Sequence, residues 1–136
     1  MSVPSPLAAS ALVAVGGGAG SLLRYQAGRA MTWWLGPATM TQFPWATLAV
    51  NVVGSLAMGL LAGGLMRHGA GAGETWRLLV GVGLLGGFTT FSSFSLEMMM
   101  LIERGQPSAA AIYAGISLFA GLTALYIGLI VMRIAG

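Results

Sequence analysis

The run Gly86-Gly87-Phe88-Thr89-Thr90-Phe91-Ser92-Ser93-Phe94-Ser95 decides how this chain is read. It lies inside a stretch that otherwise looks membrane-spanning, yet its ten residues hold two glycines, three phenylalanines and five hydroxyls, with Glu97 close behind. In lipid every backbone polar group needs an internal partner. A helix-weakening, hydroxyl-rich run is therefore tolerated only where protein or a water-filled path surrounds it. The run points to a buried functional site.

Outward from that run, the whole chain is apolar. Of its 136 residues 57% are hydrophobic and 7% charged, with mean hydropathy +0.86; a soluble domain carries about 25% charged residues. Lysine, aspartate and cysteine are absent. The missing cysteine excludes disulfide scaffolds, zinc-thiolate sites and thiol catalysis. Six arginines against three glutamates are too sparse for a nucleic-acid surface. An all-α integral membrane protein is expected.

Four segments are long enough to cross a bilayer, which takes about 20 apolar residues each. They run from about Leu7 to Ala30, Pro44 to Met66, Glu74 to Leu101 and Pro107 to Ile134, the third interrupted at Gly86–Thr90. The apolar part of the first exceeds the 7–15 residues of a signal-peptide core, and no Lys or Arg precedes it; it is read as a retained helix. Pro44 and Pro107 fit the first helical position, where the missing N–H costs nothing. The connections Met31–Phe43, Arg67–Gly73 and Ile102–Gln106 are short, so a single four-helix domain is expected. Trp33, Trp34, Trp45 and Trp76 fall at span ends, as an interfacial aromatic belt requires.

Orientation in a membrane normally follows an excess of Lys and Arg on the cytoplasmic side. Here Arg67, Arg77 and Arg133 lie on one side, and Arg24, Arg29 and Arg104 on the other, three against three. A chain without bias can insert both ways and pair antiparallel with itself. Small residues recur at four-residue spacing, Gly16 and Gly20 in the first helix, Ser55, Gly59 and Gly63 in the second. Such rows let helix backbones approach closely, between subunits or within one. A homodimer is the economical expectation, because four helices hardly enclose a polar path alone.

Polar groups within the spans are functional by default. Thr47, Asn51 and Ser55 share one face of the second helix, and Tyr113 and Ser117 one face of the fourth. With the 86–95 run they suggest a polar track whose only nearby acid is Glu97. Neutral hydroxyl and amide donors replace the hydration of a small anion without trapping it as a lysine would. Phe91 and Phe94 share a helical face, and their positive ring edges suit weak anion contact, although that spacing serves ordinary packing equally well. The residues themselves lead to a path for an anion or small polar solute.

These residues also carry a resemblance. Gly86–Ser95, the Asn51-Val-Val-Gly54-Ser55 stretch, Gly20-Ser-Leu-Leu-Arg24-Tyr25 and the Tyr113/Ser117 pair resemble the signature of the Fluc (CrcB) fluoride channels over nearly the whole chain. Ser93 stands where many relatives have threonine, which keeps the hydroxyl. The resemblance implies an antiparallel, dual-topology homodimer in the bacterial inner membrane, with fluoride pores and a central sodium ion. It makes Phe91 and Phe94 the pore-lining rings, Asn51 an anion-binding amide, and Thr47, Tyr113 and Ser117 parts of the polar track. Glu97 becomes a pore-associated acid and Arg24 a vestibule cation. The backbone carbonyls of Gly86 and Thr89 from both subunits would hold the sodium, consistent with a helix interruption that frees oxygen ligands. The implied role is passive export of fluoride, which enters from acid surroundings as HF and is trapped inside as the anion.

Other classes fit less well. A small multidrug-type proton-coupled antiporter, also four-helical and dual-topology, needs an acid midway along the first helix, and there is none. An intramembrane hydrolase needs a nucleophile paired with a base, and the only histidine, His68, is far from the hydroxyl run in sequence. A purely structural subunit accounts for the glycines but not for the clustered donors. The balanced arginines predict that a C-terminal topology reporter gives signal from both sides of the membrane; signal from one side only would rule out dual insertion.

Overall fold

The computed structural model describes residues 4–68 and 70–135, with the side chains of His68 and residues 70–72 outside that description. Every regular element among the described residues is helical. Helix α1, Pro6–Leu35, starts where Ser5 accepts the Ala8 N–H and proline takes the first turn. It continues past Ala30, and its 30 residues span about 45 Å, more than the bilayer core. Gly36, at φ 82, then redirects the chain into the short helix α2, Pro37–Gln42. The expected connection Met31–Phe43 is thus largely helical.

Helix α3, Trp45–His68, is the second span. The expected connection Arg67–Gly73 is mostly helix as well, apart from residue 69, which lies outside the described residues. The third span is composite. Helix α4, Ala70–Trp76, runs into a π-helical segment, Arg77–Leu85, then into the single turn α5, Gly86–Phe88. Thr89 and Thr90 leave helical geometry, with ψ 159 and 121, before α6, Phe91–Glu103. A π-helical stretch is rare and usually confined to one turn; here it precedes the two extended threonines. Helix α7, Pro107–Ile134, is the fourth span. Four helical stretches, Pro6–Leu35, Trp45–Arg67, Gly73–Glu103 and Pro107–Ile134, are long and apolar enough to cross a membrane. With such spans the chain is a multi-pass membrane protein.

The turn between α6 and α7 is short because its backbone is satisfied locally. Gln106 N–H reaches the Leu101 carbonyl and Gly105 N–H the Ile102 carbonyl, each at 2.9 Å. This paired closure needs a left-handed residue, supplied by Gly105 at φ 74. At the other end, Arg67 donates to the Met132 carbonyl at 2.9 Å, placing a cation at the C-terminus of α7.

Packing is close because glycines face backbone. Helix α3 lies along α7, and α1 along the π-helical segment and α5. A Cβ on Gly128 would meet the Leu56 carbonyl and Leu60 N–H, and one on Gly59 the Leu125 carbonyl. Gly16 and Gly83 abut in the same way across α1 and the third span. The small-residue rows Gly16/Gly20 and Gly59/Gly63 are thus occupied inside one protomer. They do not serve as a face for a second copy.

The remaining apolar surface is uncovered. The chain exposes 8252 Å², against roughly 6,700 Å² for a compact soluble chain of its mass. Its buried residues are few, and Leu101, Ala110 and Tyr113 form a cluster with Phe43, Leu48, Phe94 and Met98 around them. Trp33 and Trp34 are 88% and 77% exposed at the end of α1. The packing predicts that Gly128→Val lowers the melting temperature in detergent, since overpacking costs about 1–3 kcal/mol. Gly115→Ala, whose Cβ meets nothing within 4 Å, does not lower it.

Candidate functional site

The site is organised where the third span leaves helical geometry. Thr90 N–H, which in an unbroken helix would turn to the Gly86 carbonyl, instead donates to Asn51 Oδ1 at 2.8 Å. Asn51 Nδ2 donates to the Thr90 carbonyl at 3.1 Å. One amide side chain on α3 thereby satisfies both backbone groups of an extended residue. Thr90 then caps α6: its Oγ1 accepts the Ser93 N–H at 3.2 Å, drawing that donor away from the Thr89 carbonyl. The two diverted donors are those that would otherwise occupy the Gly86 and Thr89 carbonyls.

Nearly two turns into α6, Glu97 gathers two hydroxyls from different helices. Thr47 Oγ1 of α3 donates to Oε1 at 2.7 Å, and Tyr113 OH of α7 donates to Oε2 at 2.8 Å. Thr47 is buried and Tyr113 fully so. The cluster ties the two apolar spans to α6. It also commits the Thr47 and Tyr113 hydroxyl protons to Glu97 as long as that side chain stays in place.

The aromatic residues form a row beside this cluster. Phe91 and Phe94 have ring centroids 5.8 Å apart, Phe94 and Tyr113 5.0 Å, and Tyr113 meets Phe43 edge-on at 5.4 Å. Phe91 is 79% exposed on the protomer, so packing within the chain does not account for it. Asn51, Ser55, Thr90, Phe91, Phe94 and Ser117 share the wall of a groove of about 390 Å³. Ser117 Oγ is buried there without a hydrogen-bond partner. A buried polar atom left alone costs roughly 1–3 kcal/mol.

On the opposite side of Thr90 lies a larger cleft of about 980 Å³, into which Arg24, Thr47, Ser93 and Glu97 face. The structure therefore brings Thr47, Asn51, Phe91, Phe94, Glu97, Tyr113 and Ser117 into one connected region, with Arg24 at its edge. Thr89 lines the groove and Gly86 lies on the exposed flank of the third span. Phe43 was not singled out from sequence, and Thr90 and Ser93 were read only as hydroxyls of the 86–95 run. A threonine immediately before the first residue of an apolar helical run is an N-cap signal, so Thr90 was findable. Phe43 was not, because only the bend between α2 and α3 brings its ring onto Tyr113.

The chain is similar to known proteins over most of its length. The family described as "CrcB-like protein, Camphor Resistance (CrcB)" matches residues 11–129. A protein of Erythrobacter litoralis named fluoride-specific ion channel FluC is 54% identical over 134 residues, 98% of each chain. One of the same name from Novosphingobium aromaticivorans is 55% identical over 127 residues, 93% of this chain and 98% of its own. Another, from Sphingopyxis alaskensis, is 54% identical over 121 residues, 89% of this chain and 92% of its own.

The Glu97 cluster predicts energetic coupling. In a double-mutant cycle, Tyr113→Phe and Glu97→Met interact by about 1 kcal/mol, near the upper part of the range for hydrogen bonds between membrane helices. Unfolding in detergent measures it. Arg24→Gln, paired with Tyr113→Phe as a control, couples by nothing measurable.

Proposed function

The chain belongs to the CrcB family, and from that premise we propose that it is a fluoride-selective channel through which fluoride leaves the cell passively, lowering its cytoplasmic level. The observation that carries this reading is identity of 54% or more, over nearly full length, to relatives named fluoride-specific. The geometry supports it. Fluoride is a small, strongly hydrated acceptor, and its path must offer donors in place of water without a deep trap. The unpartnered Ser117 hydroxyl, the Asn51 amide and the ring edges of Phe91 and Phe94 share one groove. Thr47 and Tyr113 add donors when Glu97 turns aside, and Arg24 raises the local anion concentration in the larger cleft.

We assign the working unit as an antiparallel, dual-topology homodimer in the bacterial inner membrane. The balanced arginines, the large uncovered apolar surface and the exposed Phe91 ring support it. A sodium ion fits the interruption of the third span. The Thr90 and Ser93 N–H groups are diverted from the Gly86 and Thr89 carbonyls, and hard cations take oxygen ligands. Two carbonyls from one protomer leave a cation incompletely coordinated, which is why the same pair from a second copy belongs to the reading. The ion would supply a fixed positive charge and hold the subunits together. Such a conduit does no covalent chemistry and is not an enzyme. The proton-coupled antiporter finds no support in the relatives' names or in α1, which carries no acid.

Proteoliposomes loaded with fluoride are expected to release it when the membrane potential is clamped by an ionophore, with chloride release far slower under the same conditions. No fluoride release, or equal chloride release, sinks the assignment. Phe91→Ile and Phe94→Ile are each expected to slow fluoride release at least about tenfold, ~1.4 kcal/mol of barrier, without changing the elution volume of the assembly. Unchanged release in both would leave the rings as packing groups.

A further inference from the structure

Two clefts, not one, end at the same polar residues. The larger cleft carries Arg24 and Arg29 at its rim and reaches Ser93 and Glu97. A second, of about 380 Å³, opens between α2 and α6 beside Arg104 and also reaches Ser93 and Glu97. Met40 of α2 and Ala46 at the start of α3 line both, so the short helix α2 is the partition between them. We propose that small anions reach Ser93 and Glu97 through these two mouths in parallel, with α2 as a fixed divider. The proposal rests on the channel reading.

The divider is held by a specific contact. A six-residue helix leaves most of its last carbonyls without internal donors. Arg104 Nη1 donates to one of them, the Thr41 carbonyl, at 2.6 Å. Arg104 itself sits on the tight turn after α6, whose backbone is closed by Gly105 and Gln106. The partition is thus tied to the end of the helix that carries Ser93 and Glu97. Room and charge both suit an anion. At about 30 Å³ per water the smaller cleft holds roughly a dozen waters, enough for a partly hydrated ion. Each mouth carries a guanidinium, and the one ion pair among the described residues, Arg77 with Glu74, involves neither Arg24 nor Arg104. Attraction by such charges extends to about 8 Å at physiological salt.

The absence of cysteine makes the test clean. Gly28→Cys places a thiol in the larger cleft, where a Cβ meets nothing within 4 Å, and Met100→Cys places one in the smaller. Each full-length variant is labelled in detergent with a bulky neutral maleimide, checked by mass, reconstituted and assayed with a fluoride electrode. Each label alone is expected to leave about half the flux of the unlabelled variant, and both together to cut it at least tenfold. A complete block by the Gly28→Cys label alone overturns the proposal. So does a doubly labelled protein that still conducts as the singly labelled one does, or a Met100→Cys thiol that does not react. Leu96→Cys, on the same wall of the smaller cleft, replaces Met100→Cys if that variant does not fold. Absence of fluoride flux from the unlabelled wild-type chain instead removes the channel reading, and the two mouths with it.

Discussion

The paired hydrogen bonds between the Asn51 side chain and the Thr90 backbone are the contact on which the rest of the structure depends. Extended backbone in the middle of a membrane span is tolerated only when its N–H and C=O find partners inside the protein. Asn51 supplies both at once, at 2.8 and 3.1 Å. From that follows the restart of the helix at Phe91, with Thr90 as its cap. The restart in turn sets the rotation of α6. It places Ser93 and Glu97 toward one cleft and leaves Phe91 and Phe94 along the other groove. An amide is one of the few side chains that offers a donor and an acceptor on one planar group, so its position on α3 fixes the level at which the polar region lies.

Around this point the fold separates rigid from open surfaces. Glycine contacts lock α3 onto α7 and α1 onto the π-helical segment, backbone against backbone. The Glu97 cluster then adds a polar tie across α3, α6 and α7. What these contacts leave uncovered is a large apolar exterior and one exposed phenylalanine at the mouth of the groove. A chain of this size encloses little by itself, and lipid or a second copy completes it. The same small scale explains why α2 matters: a short helix at the membrane edge is enough to divide one approach to Glu97 into two.

Much of this was legible in the residues. The four spans follow from hydropathy and length, because a bilayer core demands about 20 apolar residues per crossing whatever the tertiary arrangement. The anomaly at 86–95 was visible because glycines and hydroxyls weaken a helix locally. Thr47, Asn51, Tyr113 and Ser117 were legible as polar groups in apolar spans, since lipid penalises each unless it has a use. Local chemistry determined all of these. Sequence alone also set the balance of arginines, three on each expected side of the membrane.

The tertiary structure decided which donor meets which acceptor. Glu97 lies fifty residues from Thr47 and sixteen from Tyr113, and no periodicity within one helix places those three atoms together. The glycine rows were readable as close-packing surfaces, but only the three-dimensional arrangement showed that they are used within the protomer. The interruption was expected over Gly86–Thr90, yet the backbone stays helical through Phe88 and becomes extended at Thr89 and Thr90. Glycine permits a break without requiring one. The extended conformation settles where a partner exists to hold the freed groups, and that partner, Asn51, sits on another helix.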